Sequence, residues 1–223
     1  MKIFKFILPC AIFLSAACSA GEARLRRGGD VYPDFTSLKA YHTEGLDYSR
    51  EFYGRGSPVS VFAIHGGDIE NTTSRLARRV ASGDLNLYIF NGWLGRKSGR
   101  LHVTATHFDD PDAVRLATSA VLGVSIHAQA DRGAWVCVGG SNKKAAALVA
   151  TRLGAAGFAA VTPCERLPGV SLKNIVNRPS AGGVQLEITL RLLASLEKDE
   201  EELAKFSGAV RQAAFEFIST AAK

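Results

Sequence analysis

Short runs rich in β-branched and aromatic residues alternate with segments of helical spacing along most of this chain, and that alternation decides the fold class. Residues 59–64 (VSVFAI), 86–90 (NLYIF), 101–106, 122–126, 135–138, 158–161 and 184–188 read as strands. Residues 72–82 carry Leu76 and Val80 four apart, and residues 112–120 follow Asp109 and Asp110, either of which suits an N-cap. Residues 142–155 are alanine-rich and stop before Gly157. Near the end, Leu203, Phe206, Val210, Ala213, Phe217 and Ile218 recur at three- and four-residue spacing, which predicts one or two amphipathic helices. The stretch 21–58 is polar with spaced aromatics and reads as a wrapping segment plus a first strand. Strand and helix in alternation predict an α/β domain with a largely parallel sheet covered on both faces. Sites in such sheets form at the carboxyl ends of strands.

The first twenty residues, MKIFKFILPCAIFLSAACSA, are set apart from that pattern. Two early lysines, a short apolar core and small residues make a signal peptide, with cleavage expected after Ala20. Cys18 after Ser-Ala-Ala leaves lipoprotein processing as an alternative; Ser15 stands where leucine is usual. The apolar run is too short to span a bilayer comfortably and no second one follows, so the mature chain is expected to lack a transmembrane helix. Residues 21–223 are enough for a single domain, exported to the periplasm or beyond and acting as a monomer. Cys137 and Cys164 remain after maturation and are candidates for one disulfide, with two buried thiols as the alternative. Loss of Lys2 and Lys5 takes the net charge from +6 to +4. Basic clusters at Arg75, Arg78 and Arg79 and at Arg96, Lys97 and Arg100 suit a polyanion, but no motif points to nucleic acid.

Three predicted strands end on a histidine: His65, His107 and His127. If the strands run parallel, all three meet at one edge of the sheet. Glu70 follows His65 by five residues, across a loop that Gly66 and Gly67 allow to fold tightly. A catalytic zinc takes three protein ligands of the histidine and glutamate kind and keeps one position for water. His65 and Glu70 would supply two, and one further strand-end histidine the third. Glu187 is the other anomaly, a carboxylate inside the apolar run GVQLEITL. It either faces solvent or pairs with Arg191, or it serves as a general base beside the metal. Asn177 and Arg178 precede a Gly-Gly loop, and Arg178 is a candidate grip for a substrate carboxylate.

The stretches AIHGGDIENTTS, NLYIFNG, LHVTATHFDDP, VSIHAQAD, VCVGGSN and NIVNRPSAGGVQLEIT occur in that order over nearly the whole mature chain. In them the sequence resembles the poly-γ-glutamate hydrolases of phages and bacteria. The resemblance implies a minimal zinc-carboxypeptidase-like fold, a three-layer α/β/α sandwich with a mixed sheet, and one Zn2+ ion. It implies His65, Glu70 and His127 as ligands, Glu187 as base, and Arg178 as a substrate or transition-state contact, with the neighbouring Asn177 a substrate-binding candidate from its place before the Gly-Gly loop. His107, within a family motif, is expected in the pocket against the substrate or supporting a ligand, with metal ligation as the alternative. The substrate would be a polyanionic γ-glutamyl polymer or a γ-glutamyl peptide. Two departures stand out. Carboxypeptidases space their first ligand pair H-x-x-E, whereas here four residues intervene, and Asp68, at the third position after His65, competes as a ligand. HAQAD also stands where the family often has HG. Rival readings are a zinc amidase acting on γ-D-glutamyl links of peptidoglycan stem peptides, and a polymer-binding protein without catalysis.

Overall fold

The computed structural model describes residues 29–221, so the expected signal peptide and Cys18 lie outside the described residues. Seven strands form one sheet: β1 (Tyr48–Tyr53), β2 (Val59–Gly67), β3 (Asn86–Gly92), β4 (Leu122–Gln129), β5 (Val136–Gly139), β6 (Ala160–Val161) and β7 (Gly183–Thr189). The helices are α1 (Phe35–Lys39), α2 (Thr73–Ala81), α3 (Pro111–Thr118), α4 (Lys143–Ala155), α5 (Leu190–Lys198) and α6 (Glu200–Ala221). The strand order is β1-β3-β2-β4-β7-β5-β6. Strands β3, β2, β4 and β7 are parallel, whereas β1 and β5 run antiparallel to β3 and β7. The sheet is therefore mixed and largely parallel, as expected. None of the helices among the described residues is long and apolar enough to cross a membrane.

Strand alternation sorts the side chains into two layers. Val61 and Ala63 of β2, Leu87 and Ile89 of β3, Val124 and Ile126 of β4, and Val184, Leu186 and Ile188 of β7 share one core. That core is closed by α2, α4, α5 and α6; Phe206, Val210, Ala213 and Phe217 form the buried stripe of α6. Each of the valines, leucines, isoleucines and phenylalanines among them contributes about 1.5–3 kcal/mol on removal from water. The opposite residues Phe62, Ile64, Tyr88 and Phe90 pack with Phe35, Leu38, Phe108 and Leu116 under α1 and α3. Helices on both faces make the α/β/α sandwich. Of the two candidate caps for α3, Asp110 is the one used; it accepts the amides of Asp112 and Ala113. Its second oxygen takes the Tyr88 hydroxyl and Arg50, which compensates a fully buried carboxylate.

On this second face the aromatic core lies over β2 and β3. Farther along, β4 and β7 present Ser125, His127, Gln185 and Glu187, and β5 presents Cys137. Irregular chain covers that half: Gly139 lies directly beneath Pro168, and the short 3-10 turn Ile175–Asn177 crosses β4 and β7. The sandwich therefore leaves room for a cavity over polar residues at the carboxyl edge.

One expected strand is absent. Residues 101–106 leave a 3-10 turn, Gly95–Leu101, and continue as irregular chain. Leu101 and Val103 are buried in the aromatic core, so their period-two pattern records one-sided burial rather than sheet pairing. The backbone stays available for other partners: the Val103 carbonyl accepts from the His65 ring and the Ala105 carbonyl accepts from Ile175.

Helix α2 comes unusually close to the end of β2. A Cβ on Gly66 would lie 1.9 Å from Ser74 Oγ and 2.6 Å from Asn91 Oδ1. Gly66→Ala is expected to lose about 1–3 kcal/mol of stability by overpacking, measured by urea denaturation of the metal-free protein. It should also weaken metal binding, because Gly66 follows His65.

Candidate active site

His65 reaches the site through an irregularity in β2. Ala63 pairs with Ile89, but Gly66 pairs with Asn91, so β2 carries one extra residue in that interval. Regular alternation would aim His65 toward α2, on the side of Val61 and Ala63. The bulge turns it to the opposite face, where His127 projects from β4. The loop then folds back so that the Glu70 amide donates to the His65 carbonyl at 2.8 Å. Gly67, with φ of 64°, makes that return. This closure explains why four residues separate His65 from Glu70. Asp68 points outward, is exposed, and accepts the Gly95 amide, so it is not part of the cluster.

The ring atoms define what the cluster can hold. A carbonyl only accepts, so His65 Nε2, 2.9 Å from the Val103 oxygen, carries the proton. Its Nδ1 lone pair then faces Glu70 Oε1 at 3.0 Å and His127 Nδ1 at 3.2 Å. His127 Nδ1 lies 3.7 Å from Glu70 Oε2, and His127 Nε2 is buried without a partner among the described residues. Three acceptors converge where only a proton or a cation relieves them. A tetrahedral ion with bonds of about 2.0–2.1 Å needs ligands about 3.3–3.4 Å apart, close to the spacing found. His65, Glu70 and His127 therefore fit a metal ion, with one position left open.

Burial and charge set the protonation of these groups before any ion is bound. Burial, the largest single influence, pulls the His65 pKa down, but the charge and hydrogen bond of Glu70, the Val103 carbonyl and the charge of Glu187 together leave it raised. Burial pushes Glu70 up, but His65, His127 and the Ala128 amide bring it below the ordinary range. His127 falls to about 4, through burial and the neighbouring His65 and His102. Glu187 rises to about 8, through burial and the charge of Glu70.

Glu187 sits beside the cluster because β4 and β7 are in register: His127 pairs with Glu187 on the same face. It is buried, and it does not meet Arg191, which is exposed. Its Oε1 accepts from Gln185 Nε2 at 2.8 Å, and Asn174 Nδ2 donates to Gln185 Oε1 at 2.7 Å. This chain of amides fixes the carboxylate and leaves Oε2 for chemistry. His65, Glu70, His102, His127, Arg166, Asn174, Gln185 and Glu187 line a cavity of about 410 Å3.

Other expected site residues are elsewhere. His107 is exposed in the turn 105–107, because the strand meant to end before it does not form. His102, from the same motif, takes the pocket position; its ring stacks on His65 at 3.9 Å and Asp30 holds its Nδ1 at 2.7 Å. The alternation of Leu101 and Val103, both buried, already marks His102 as facing the other way. Asn177 is a buried clamp that accepts from Ser141 and donates to Gly169 and Ser171. Arg178 follows it, half-buried, at the amino ends of β4 and β7, where Val176 and Pro179 pack on Gly123. Neither lines the cavity, which opens at the opposite edge. Arg166 supplies the cavity's cation instead. Cys137 and Cys164 are joined by a disulfide.

In this α/β/α sandwich, parallel strands β2, β4 and β7 and the loop after β2 bring two histidines and two glutamates to one cavity at the carboxyl edge, a set able to hold a metal ion beside a free carboxylate. The chain belongs to the poly-gamma-glutamate hydrolase family, whose model matches residues 32–216, and it is a hydrolase. It is 34% identical over 199 residues to the UPF0714 protein YndL of Bacillus subtilis (strain 168), covering 88% of this chain and 75% of that protein. The SPbeta prophage-derived UPF0714 protein YoqZ of the same organism is 36% identical over 163 residues, which are 72% of this chain and 59% of that protein. A bacteriophage poly-gamma-glutamate hydrolase superposes with a TM-score of 0.81 at 31% identity, over 86% of this chain and all of that one. A structure of YndL described as zinc-free gives 0.76 at 32% identity, over 86% of this chain and 99% of that one.

Metal binding should be proton-linked. Below the raised pKa of His65 a proton competes for Nδ1, so apparent affinity is expected to weaken about tenfold per pH unit as the medium turns acid. Chelator competition across about pH 5 to 8 measures this. His127→Ala should lose affinity by more than about 100-fold, beyond what removing a residue that merely supports a ligand does.

Proposed function

We propose that the protein is an exported, zinc-dependent amidohydrolase that cleaves γ-glutamyl amide bonds in poly-γ-glutamate, with Glu187 as general base. The observation that carries this reading is the buried carboxylate of Glu187 in register with His127, beside three converging ligand atoms. His65, Glu70 and His127 would hold the zinc, which would supply the Lewis acidity needed to acidify water and polarise the scissile carbonyl.

The remaining work falls to the protein. Glu187 accepts a proton from the attacking water and returns it to the departing amine nitrogen. In the metal-free site burial and the Glu70 charge raise the Glu187 pKa to about 8; a dication held by Glu70 would offset that charge and favour the ionised carboxylate that a base requires. Gln185 and Asn174 hold it in one orientation, so little freedom is lost as the proton moves. The substrate follows from the family and from the bacteriophage enzyme of similar fold. Export is supported by the leader-like sequence of residues 1–20 and by the Cys137–Cys164 disulfide, which suits an oxidising compartment.

Zinc-loaded protein should shorten poly-γ-glutamate, as followed by size-exclusion chromatography, and should leave α-linked polyglutamate intact. Glu187→Gln should lower kcat by about 10²–10⁴-fold with zinc content unchanged. Normal turnover by that variant would remove Glu187 as base, and an intact γ-linked polymer would remove the substrate. Mass spectrometry of the protein expressed with its leader should give Gly21 as the mature N-terminus; a chain still beginning at Met1 would contradict export by this route.

A further inference from the structure

Poly-γ-glutamate carries a free α-carboxylate on every unit, yet the cavity presents two acidic side chains, Glu70 and Glu187. Something has to favour the substrate's charge. Among the described residues lining the cavity, Arg166 is the one with a permanent positive charge. We propose that Arg166 reads the α-carboxylate of the γ-glutamyl unit beside the scissile bond. The proposal rests on the substrate reading above.

Arg166 is positioned from three directions. Its Nη2 donates to Gln129 Oε1 at 3.0 Å and pairs with Asp131 Oδ2 at 2.8 Å, both just beyond His127 in the segment HAQAD. Gln129 in turn donates to the Glu187 carbonyl, so the guanidinium is tied to the strand that carries the base. Two residues before Arg166, Cys164 is bonded to Cys137, whose register partner in β7 is Glu187. The arginine thus stands at a fixed place relative to the reacting centre, and its charge is felt at Glu187.

It is also free to bind. Nε and Nη1 find no acceptor among the described residues. The pair with Asp131 is exposed, 59% and 37% by side chain, and exposed pairs contribute little. A substrate carboxylate can therefore replace Asp131 or join it at small cost. Arg166 further stands where the catalytic cavity meets a second groove of about 690 Å3, lined by Trp135, Val161, Thr162 and Pro163 among others. A polymer threaded through the site would pass over it.

The test compares a defined γ-glutamyl oligomer with the same oligomer whose α-carboxylates are converted to amides. Arg166→Gln should raise KM for the free acid about 10- to 100-fold, as expected for losing a charge-assisted contact. kcat should stay within about threefold, and zinc content and thermal unfolding should not change. In a Glu187→Gln background, calorimetry should show the same loss in Kd, without turnover. The amidated oligomer should bind wild type as weakly as the free acid binds Arg166→Gln, and the substitution should barely affect it. Arg166→Lys should recover part of the affinity. Unchanged KM and Kd in Arg166→Gln, or equal losses on both oligomers, would overturn the role of Arg166 and leave the substrate reading intact. A zinc-loaded wild type that neither binds nor cleaves either oligomer would overturn both.

Discussion

Three residues, His65, Glu70 and His127, turn acceptor atoms toward one another at 3.0–3.7 Å in a buried site, Glu70 meeting each imidazole with a different oxygen. Lone pairs so arranged repel unless a cation or a proton lies between them, so the rest of the fold has to hold them against that repulsion. It does so with rigid parts. His127 comes from the central strand β4, and the Val103 carbonyl fixes the tautomer of His65. The Ala128 amide pins one oxygen of Glu70 while the other faces His65. Of the two ligand-bearing strands only β2 departs from regular alternation, because its face toward α2 is the wrong one for His65. One extra residue in the strand corrects this, and Gly66 and Gly67 follow because α2 and β3 then crowd the backbone. The glycines are thus consequences of where the imidazole has to point.

The same constraint separates what is legible in the sequence from what is not. The βα alternation, the two helix caps and the burial stripe of the last helix are local patterns, and the fold repeats them. His127 and Glu187 are legible because both belong to regular strands, where a polar residue in an apolar run has to find a use. His102 and His107 are separated by tertiary structure. The choice depends on whether residues 101–106 join the sheet, and alternation of Leu101 and Val103 is the same for a strand and for irregular chain lying against a core. Arg178 illustrates a different limit. Residues 174–178 run from the carboxyl edge to the amino edge of the sheet, so Asn174 lines the cavity and Arg178 does not. Four residues along a chain can span opposite ends of a site, and no periodicity records that.

Gln185 and Gln129 show how support for the base is hidden in ordinary strand grammar. Both lie on the face of β4 and β7 that also bears His127 and Glu187, two residues away from one or the other. A glutamine there looks like any solvent-facing strand position. Its meaning appears only once the helices α1 and α3 are seen to cover the β2–β3 half and to leave the β4–β7 half to irregular chain. Buried amides in that half are then required to bond one another, and they do so in a line that ends on the Glu187 carboxylate.

The irregular wall of the cavity raises a last structural question, namely what holds it still. At that end of the sheet, β6 has only two residues and β5 four, so hydrogen-bonded ladder can do little for the chain beyond them. The antiparallel placement of β5 supplies another means. Being in register with β7, it sets Cys137 on the same face as Glu187, and the disulfide to Cys164 fastens the following residues to that face. Pro168 then closes down on Gly139, where no side chain would fit, and the Asn177 amide holds Gly169 and Ser171. The wall is in effect an extension of the strand that carries the base. A segment built in this way can present Arg166 to the cavity with the positional constancy of a strand residue, although it has no secondary structure of its own.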